Sequence, residues 1–369
     1  MKKVTLFLSA ILIISALFIS IIYFRTPKAV KMGFIADLTG RQSQLGISVR
    51  NGFLMAIDEI NADGGINGRE IIPILKNNEN DLEVCLRETK KLIDEEADVI
   101  IGPLTSAMVV PVLEASGDTP VISPTVSTDR VTGIDDMFFR VIPAASMQGK
   151  ALAEAVIKNN EQKVVIILDE RNIEYTGAFA DGFKEKYEGA TGIKLQIISF
   201  SDKSQLIGIS HSLIEINPDA LVFVSSGVDA AGIIQQYAKI ADLPQLYSSY
   251  WGKASNVHEY GGSTVENMIL IAGFENPIKK EKEIEFQENY RARYKIDANF
   301  AAQYSYETVL LYATAAQNGK STNPQTVKSE ILKLEFFEGI TDNYSLNEYG
   351  DVIREQTLFI IRNNEYDYY

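Results

Sequence analysis

Short apolar runs and helical stripes alternate along this chain from Val30 onward. Lys31 to Ala36, Glu70 to Leu75, Val99 to Ile101, Val121-Ile122 and Phe138 to Ile142 read as strands. Brief apolar runs bounded by turn residues fit strands covered on both faces. Between them Val49, Phe53, Ile57 and Ile60 recur at helical spacing, as do Leu82, Cys85, Leu86, Thr89, Leu92 and Ile93, with Asn80-Asp81 placed as a cap. Met108 to Ala115 adds a short helix, and Leu152, Val156 and Ile157 mark another after Pro143.

A second series then begins. Val164 to Leu168, Ile193 to Ile198 and Ala220 to Val224 are expected strands, separated by helices at Phe179 to Tyr187, Leu206 to Ile216 and Ala230 to Ile240. Leu246-Tyr247 and Met268 to Ala272 complete it as short strands. Strands alternating with helices are the mark of parallel βαβ units, and right-handed crossovers wind each series into a sheet with helices on both faces. The predicted class is α/β, with two doubly wound, Rossmann-like lobes.

The tail changes character. Glu281 to Tyr294, Ala298 to Asn318 and Pro324 to Leu334 read as successive helices, Gly339 to Ile353 as a hairpin turning near Asn347 to Gly350, and Thr357 to Ile361 as a last strand. Such a tail can return to one lobe and then the other. It places hinges near Pro143, Phe274 and Phe336, with residues 30–143 and 274–335 in lobe 1 and 144–273 and 336–369 in lobe 2.

Chemistry concentrates where two strands of the first lobe end. Ile101-Gly102-Pro103-Leu104-Thr105-Ser106 and Ile122-Ser123-Pro124-Thr125-Val126-Ser127-Thr128 both break at Gly or Pro and open into hydroxyl residues. In open α/β sheets ligands bind outside the carboxyl ends of the strands. Free N–H groups at turn and helix starts suit an anion there. The same serines and threonines can instead simply cap the next helix.

Bulk properties narrow the partners. At 369 residues the chain exceeds one ordinary core, which supports two domains. Its 49 acidic against 35 basic residues, a formal charge of −14, and the lack of any basic patch exclude nucleic acid. The single cysteine, Cys85, sits on an amphipathic stripe and reads as a buried thiol, and the two histidines, His211 and His258, lack metal-ligand spacing. No cofactor is implied. Ahead of the fold, Lys2-Lys3 precede an apolar run from Val4 to Phe24; residues 1–29 are either a cleaved signal peptide or an uncleaved membrane anchor, and both put the working part outside the cytoplasm.

The motifs Gly33 to Gly40, Gly52 to Asn61, Gly64 to Gly68, Ile101-Gly102-Pro103, Ile122-Ser123-Pro124, Phe139 to Pro143, Pro218-Asp219-Ala220 and Gly339-Ile340-Thr341, in this order, resemble type I periplasmic substrate-binding proteins. The resemblance is to the branched-chain amino-acid binding proteins of ABC importers and covers everything after the apolar leader. It implies two lobes that close like a clam shell on a small ligand, with an ABC permease as membrane partner. By position it implies that Ser106, the Thr125 backbone and Ser127 hold a carboxylate, with Thr105 beside them, and that Tyr175 of the second lobe covers the α-amino end.

Two departures stand out. The loop Ser248 to Lys253 has no acid where amino-acid binders keep one for the ammonium, and Ser225 to Asp229 lacks their tyrosine. Asp229 either replaces the missing charge or caps its helix; Trp251, the only tryptophan, either stacks on the ligand or packs in the core. The resulting expectation is a non-catalytic exported binder of a carboxylate-bearing solute. A membrane-tethered sensor of the same fold is the alternative. No catalytic motif supports an enzyme, since neither a G-x-S-x-G elbow, a phosphate-binding G-x-x-x-x-G-K nor a Cys/His pair is present.

Overall fold

The computed structural model describes residues 28–39, 43–271 and 280–369. The apolar N-terminal segment and the expected hinge at Phe274 lie outside them. Among the described residues no helix is long and apolar enough to cross a membrane.

In the first half, β1 (Val30–Ala36), β2 (Ile71–Asn77), β3 (Val99–Ile101), β4 (Val121–Ser123) and β5 (Phe138–Arg140) form one sheet in the order β2-β1-β3-β4-β5, all parallel. The central strands are buried on both faces, which is why they read as unbroken apolar runs rather than as alternation. Helices α1 (Ser43–Ala62), α2 (Leu82–Asp94) and α3 (Val109–Ser116) cover it; Asp81 caps α2 by accepting the Val84 N–H at 2.9 Å. Cys85 is buried on α2, and burial pushes its thiol up to about 11.

After α4 (Ala145–Lys158), the second half repeats the plan. Strands β6 (Val164–Asp169), β7 (Gln196–Phe200), β8 (Ala220–Val224), β9 (Gln245–Ser248) and β10 (Ile269–Ile271) are parallel in the order β7-β6-β8-β9-β10. The intervening helices are α5 (Ile173–Thr191), α6 (Leu206–Ile216) and α7 (Gly227–Tyr237), followed by the short α8 (Tyr250–Ala254) and α9 (Val257–Gly261). The two sheets therefore share one winding. In each, the chain reverses direction across the sheet beside its first strand, at β1/β3 and at β6/β8, and such switch points are where α/β sheets bind ligands.

The tail supplies α10 (Glu281–Tyr294), α11 (Phe300–Asn318) and α12 (Pro324–Leu332), with α11 packed on α1 of the first half. A three-stranded ribbon of β11 (Phe337–Glu338), β12 (Asn343–Leu346) and β13 (Val352–Ile353) follows. Finally β14 (Leu358–Arg362), antiparallel to β10, and β15 (Glu365–Tyr368), antiparallel to β14, extend the second sheet.

Several boundaries differ from the sequence expectation for local reasons. Strand β7 begins at Gln196 rather than Ile193, because Gly192 ends α5 in the left-handed region and the Thr191 hydroxyl takes the Ile193 N–H. Helix α7 begins at Gly227, where Ser226 caps it, and stops at Tyr237. The last strand, β15, was not expected; it pairs with β14 as an edge strand, its acids exposed and its tyrosines half-buried.

Candidate functional site

The first wall is built from the loops that follow β3 and β4. Gly102 stands at φ 120°, and a Cβ there would lie 2.2 Å from the Ile35 carbonyl oxygen, so only glycine lets this loop cross the end of β1. The loops are stitched together: the Ser123 hydroxyl donates to the Pro103 carbonyl and the Thr125 hydroxyl to the Leu104 carbonyl, each at 2.7 Å. The Thr125 N–H is turned to Ser123 Oγ at 3.3 Å, and Thr128 Oγ1 accepts the Arg130 N–H at 3.3 Å. These three residues hold the wall in shape. Ser106, opening a 3₁₀ turn over Ser106–Met108, and Ser127 behave differently. Both are nearly buried, yet neither side chain hydrogen-bonds another described residue. Thr105, half-buried, precedes the turn without capping it.

The opposite wall comes from the second half. Tyr175 lies in the first turn of α5 rather than in a loop, because Asp169 accepts the Arg171 N–H at 3.0 Å and starts a 3₁₀ turn directly after β6. Its phenol donates to Gln148 Oε1 at 3.3 Å, and burial pushes it well above its ordinary value. The Trp251 ring, half-buried on α8, meets the Tyr175 ring edge-on at 6.3 Å. Next to it, Tyr250 packs against Phe300 of α11, ring centres 4.3 Å apart, with the Tyr250 and Tyr304 hydroxyls 3.5 Å apart.

These walls meet. The Ser106–Met108 turn packs on α5. The Ser127 carbonyl accepts the Ala145 N–H at 2.6 Å at the start of α4, which carries Gln148 and so the bond to Tyr175. Arg130 pairs with Glu174 at 3.2 Å across the junction. Outside that pair, Thr128, Asp129, Ile173 and Gly177 line an open hollow of about 230 Å³, which is the outer rim of the contact, since none of Ser106, Ser127, Tyr175 and Trp251 lines it.

Asp229 is committed within the second half. It is buried in the first turn of α7, accepts from Ser226 Oγ at 2.9 Å and is ion-paired with Arg171, which also grips Asp169. Sequence reading missed this pair, as it missed Arg354 with Glu307 and Asp342; only spatial neighbourhood joins residues so far apart in the chain. Among the described residues no cluster of His, Cys, Asp or Glu is placed to hold a metal.

Two doubly wound halves facing each other across their strand ends, tied by several chain crossings, are the architecture of a two-lobed solute-binding protein. The match is specific: residues 29–362 fit the family model for periplasmic binding proteins, and the chain belongs to that family, one of solute binders and not of enzymes. It is 24% identical over 363 residues, 95% of each chain, to a leucine-, isoleucine-, valine-, threonine- and alanine-binding protein of Pseudomonas aeruginosa. Its fold is similar to that of a leucine-binding protein of Thermotoga maritima (TM-score 0.82, 21% identity, covering 92% of this chain and 98% of that one). A solute-binding protein of an R. palustris ABC transporter, solved with benzoate, is comparable in fold (TM-score 0.81, 19% identity, 92% and 95% covered).

Proposed function

We propose that this protein captures a small carboxylate-bearing solute between its two halves, outside the cytoplasm, and presents it to the permease of an ABC importer. The observation that carries the reading is the pair Ser106 and Ser127: hydroxyls of nearly buried residues at strand ends, without a hydrogen-bonding partner among the described residues, on a wall where Ser123, Thr125 and Thr128 are committed. Two hydroxyls at the ends of neighbouring strands, with no partner among the described residues, are left available to an acceptor supplied from outside. An amino-acid-binding relative and a benzoate-bound structural neighbour share the carboxylate as a common chemical element.

Thr105 and the Thr125 backbone border the anion in this reading, and Tyr175 and Trp251 shape the far end. Residues 30–143 with 274–335 act as one lobe and 144–273 with 336–369 as the other, the β11–β13 ribbon lying on the crossing. A ligand that touches both walls favours the closed arrangement by its differential affinity for it, with no chemistry required.

Replacing Ser106 and Ser127 together by alanine is expected to weaken carboxylate binding at least roughly tenfold, since each hydrogen bond to a charged group is worth ~1.5–3 kcal/mol. Isothermal titration reads the loss. The melting temperature of the unliganded protein should stay within a degree or two, and unchanged affinity would show that the anion sits elsewhere.

A further inference from the structure

We infer that the solute carries no ammonium group: the acids at the ends of β6 and β8 are taken by the chain's own Arg171, and the loop Ser248 to Lys253 carries none. The inference rests on the solute-binding reading and names its ligand class.

The winding of the second sheet puts its ligand crevice at the ends of β6 and β8. Both ends carry a buried carboxylate, Asp169 finishing β6 and Asp229 opening α7 after β8. Unpaired, they would make a ready site for an ammonium. Arg171 instead lies between them. Its Nε donates to Asp169 Oδ1 at 2.7 Å, and its Nη2 reaches both Asp169 and Asp229. Its guanidinium lies 5.3 Å from the centre of the Phe200 ring on β7. Lys203 approaches Asp229 at 4.0 Å, so two cations face two carboxylates and the cluster is neutral.

Among the described residues the other acids considered are engaged elsewhere. Glu307 and Asp342 are both engaged by Arg354, and Glu174 pairs with Arg130. Asp37, at the end of β1, is buried and accepts the Thr39 N–H. The Tyr175 hydroxyl is turned inward to Gln148, and the buried Ser249 hydroxyl ahead of α8 is a neutral group. What the second half offers a ligand is therefore uncharged: ring surface from Tyr175 and Trp251, with Tyr250 behind them, and the Ser249 hydroxyl.

An ammonium drawn out of water against this wall would meet no unengaged carboxylate among the described acids named above, and burying an unpaired charge is heavily penalised. Ring faces attract cations more weakly, by ~0.5–2 kcal/mol, too little to offset that loss. The solute class that fits is a monocarboxylate with a flat or branched apolar body: an aromatic acid, or an acyl acid lacking the amino group.

Matched pairs test this on the wild-type protein by titration calorimetry and thermal shift: 3-phenylpropanoate against phenylalanine, 4-methylpentanoate against leucine, with benzoate added. The acids are expected to bind at least roughly tenfold tighter than their amino counterparts, a ratio worth about 1.4 kcal/mol. Amino acids binding as tightly as the acids would overturn the inference while leaving the solute-binding reading in place. Binding by no member of either set would count against the solute-binding reading itself. In Arg171→Gln, which frees the two aspartates, the ratio should narrow or reverse, whereas Arg171→Lys should keep it. An unchanged ratio in a folded Arg171→Gln variant would also overturn the inference.

Discussion

Arg354→Ala is expected to lose about 3–5 kcal/mol of stability, the usual cost of stripping one partner from a buried ion pair. The Arg354 side chain is fully buried. Its Nη1 donates to Glu307 Oε2 at 3.1 Å and to the Val141 carbonyl at 2.9 Å, and its Nε donates to Asp342 at 2.9 Å. The Tyr344 and Tyr304 rings lie 4.4 and 5.1 Å from the guanidinium. Arg354 follows β13, Glu307 lies on α11, and Val141 begins the chain crossing after β5, so one guanidinium ties three segments at the junction of the two halves.

The loss should depend on pH in a defined direction. Burial raises the Glu307 carboxyl and Arg354 pulls it down, so removing Arg354 raises it further. A carboxyl held higher in the folded than in the unfolded state favours folding when protonated and penalises it as pH rises through the folded value. The deficit of Arg354→Ala relative to wild type is therefore smallest near about pH 5 and grows towards about pH 8. Urea unfolding at several pH values measures it. A deficit below about 1 kcal/mol at neutral pH would mean the pair is dispensable.

The second large effect concerns the contact of α4 with α5. A Cβ on Gly149 would lie 2.1 Å from the Phe179 carbonyl oxygen, and one on Gly182 would lie 2.2 Å from that of Ser146. Helix propensity alone would favour alanine over glycine by about 0.8–1.0 kcal/mol. The clash is with backbone, which cannot rotate away, so the helices must separate, and overpacking of this kind costs ~1–3 kcal/mol. Gly149→Ala and Gly182→Ala are each expected to lower stability despite the better propensity. Because Tyr175 on α5 is bonded to Gln148 on α4, separation also disturbs the aromatic wall and should weaken ligand binding. A higher melting temperature in either variant would show that the helices yield without cost.

Much of this architecture was legible in the sequence. Val164 to Leu168 and Ala220 to Val224 read as strands because both faces are covered, and Ser106 and Ser127 stood out through their place after strand ends. Tyr175 and Trp251 were singled out separately, and the structure sets their rings against each other. The local start of α5 was hidden, since the Asp169 cap that begins its 3₁₀ turn looks like any polar loop residue. What no local pattern conveys is pairing at a distance. Asp229 read as either a replacement charge or a helix cap, and its pairing with Arg171, far back in the chain, left no local trace; Arg354 carried no motif at all.

The central claim, a solute gripped at its anionic end by the first half and at its apolar end by rings of the second, is tested most directly by a crystal structure with a bound monocarboxylate. The expected result is carboxylate oxygens about 3 Å from Ser106 Oγ and Ser127 Oγ, with the body of the ligand against Tyr175 and Trp251. A carboxylate bound away from both serines, or a ligand outside the junction of the two halves, would contradict it.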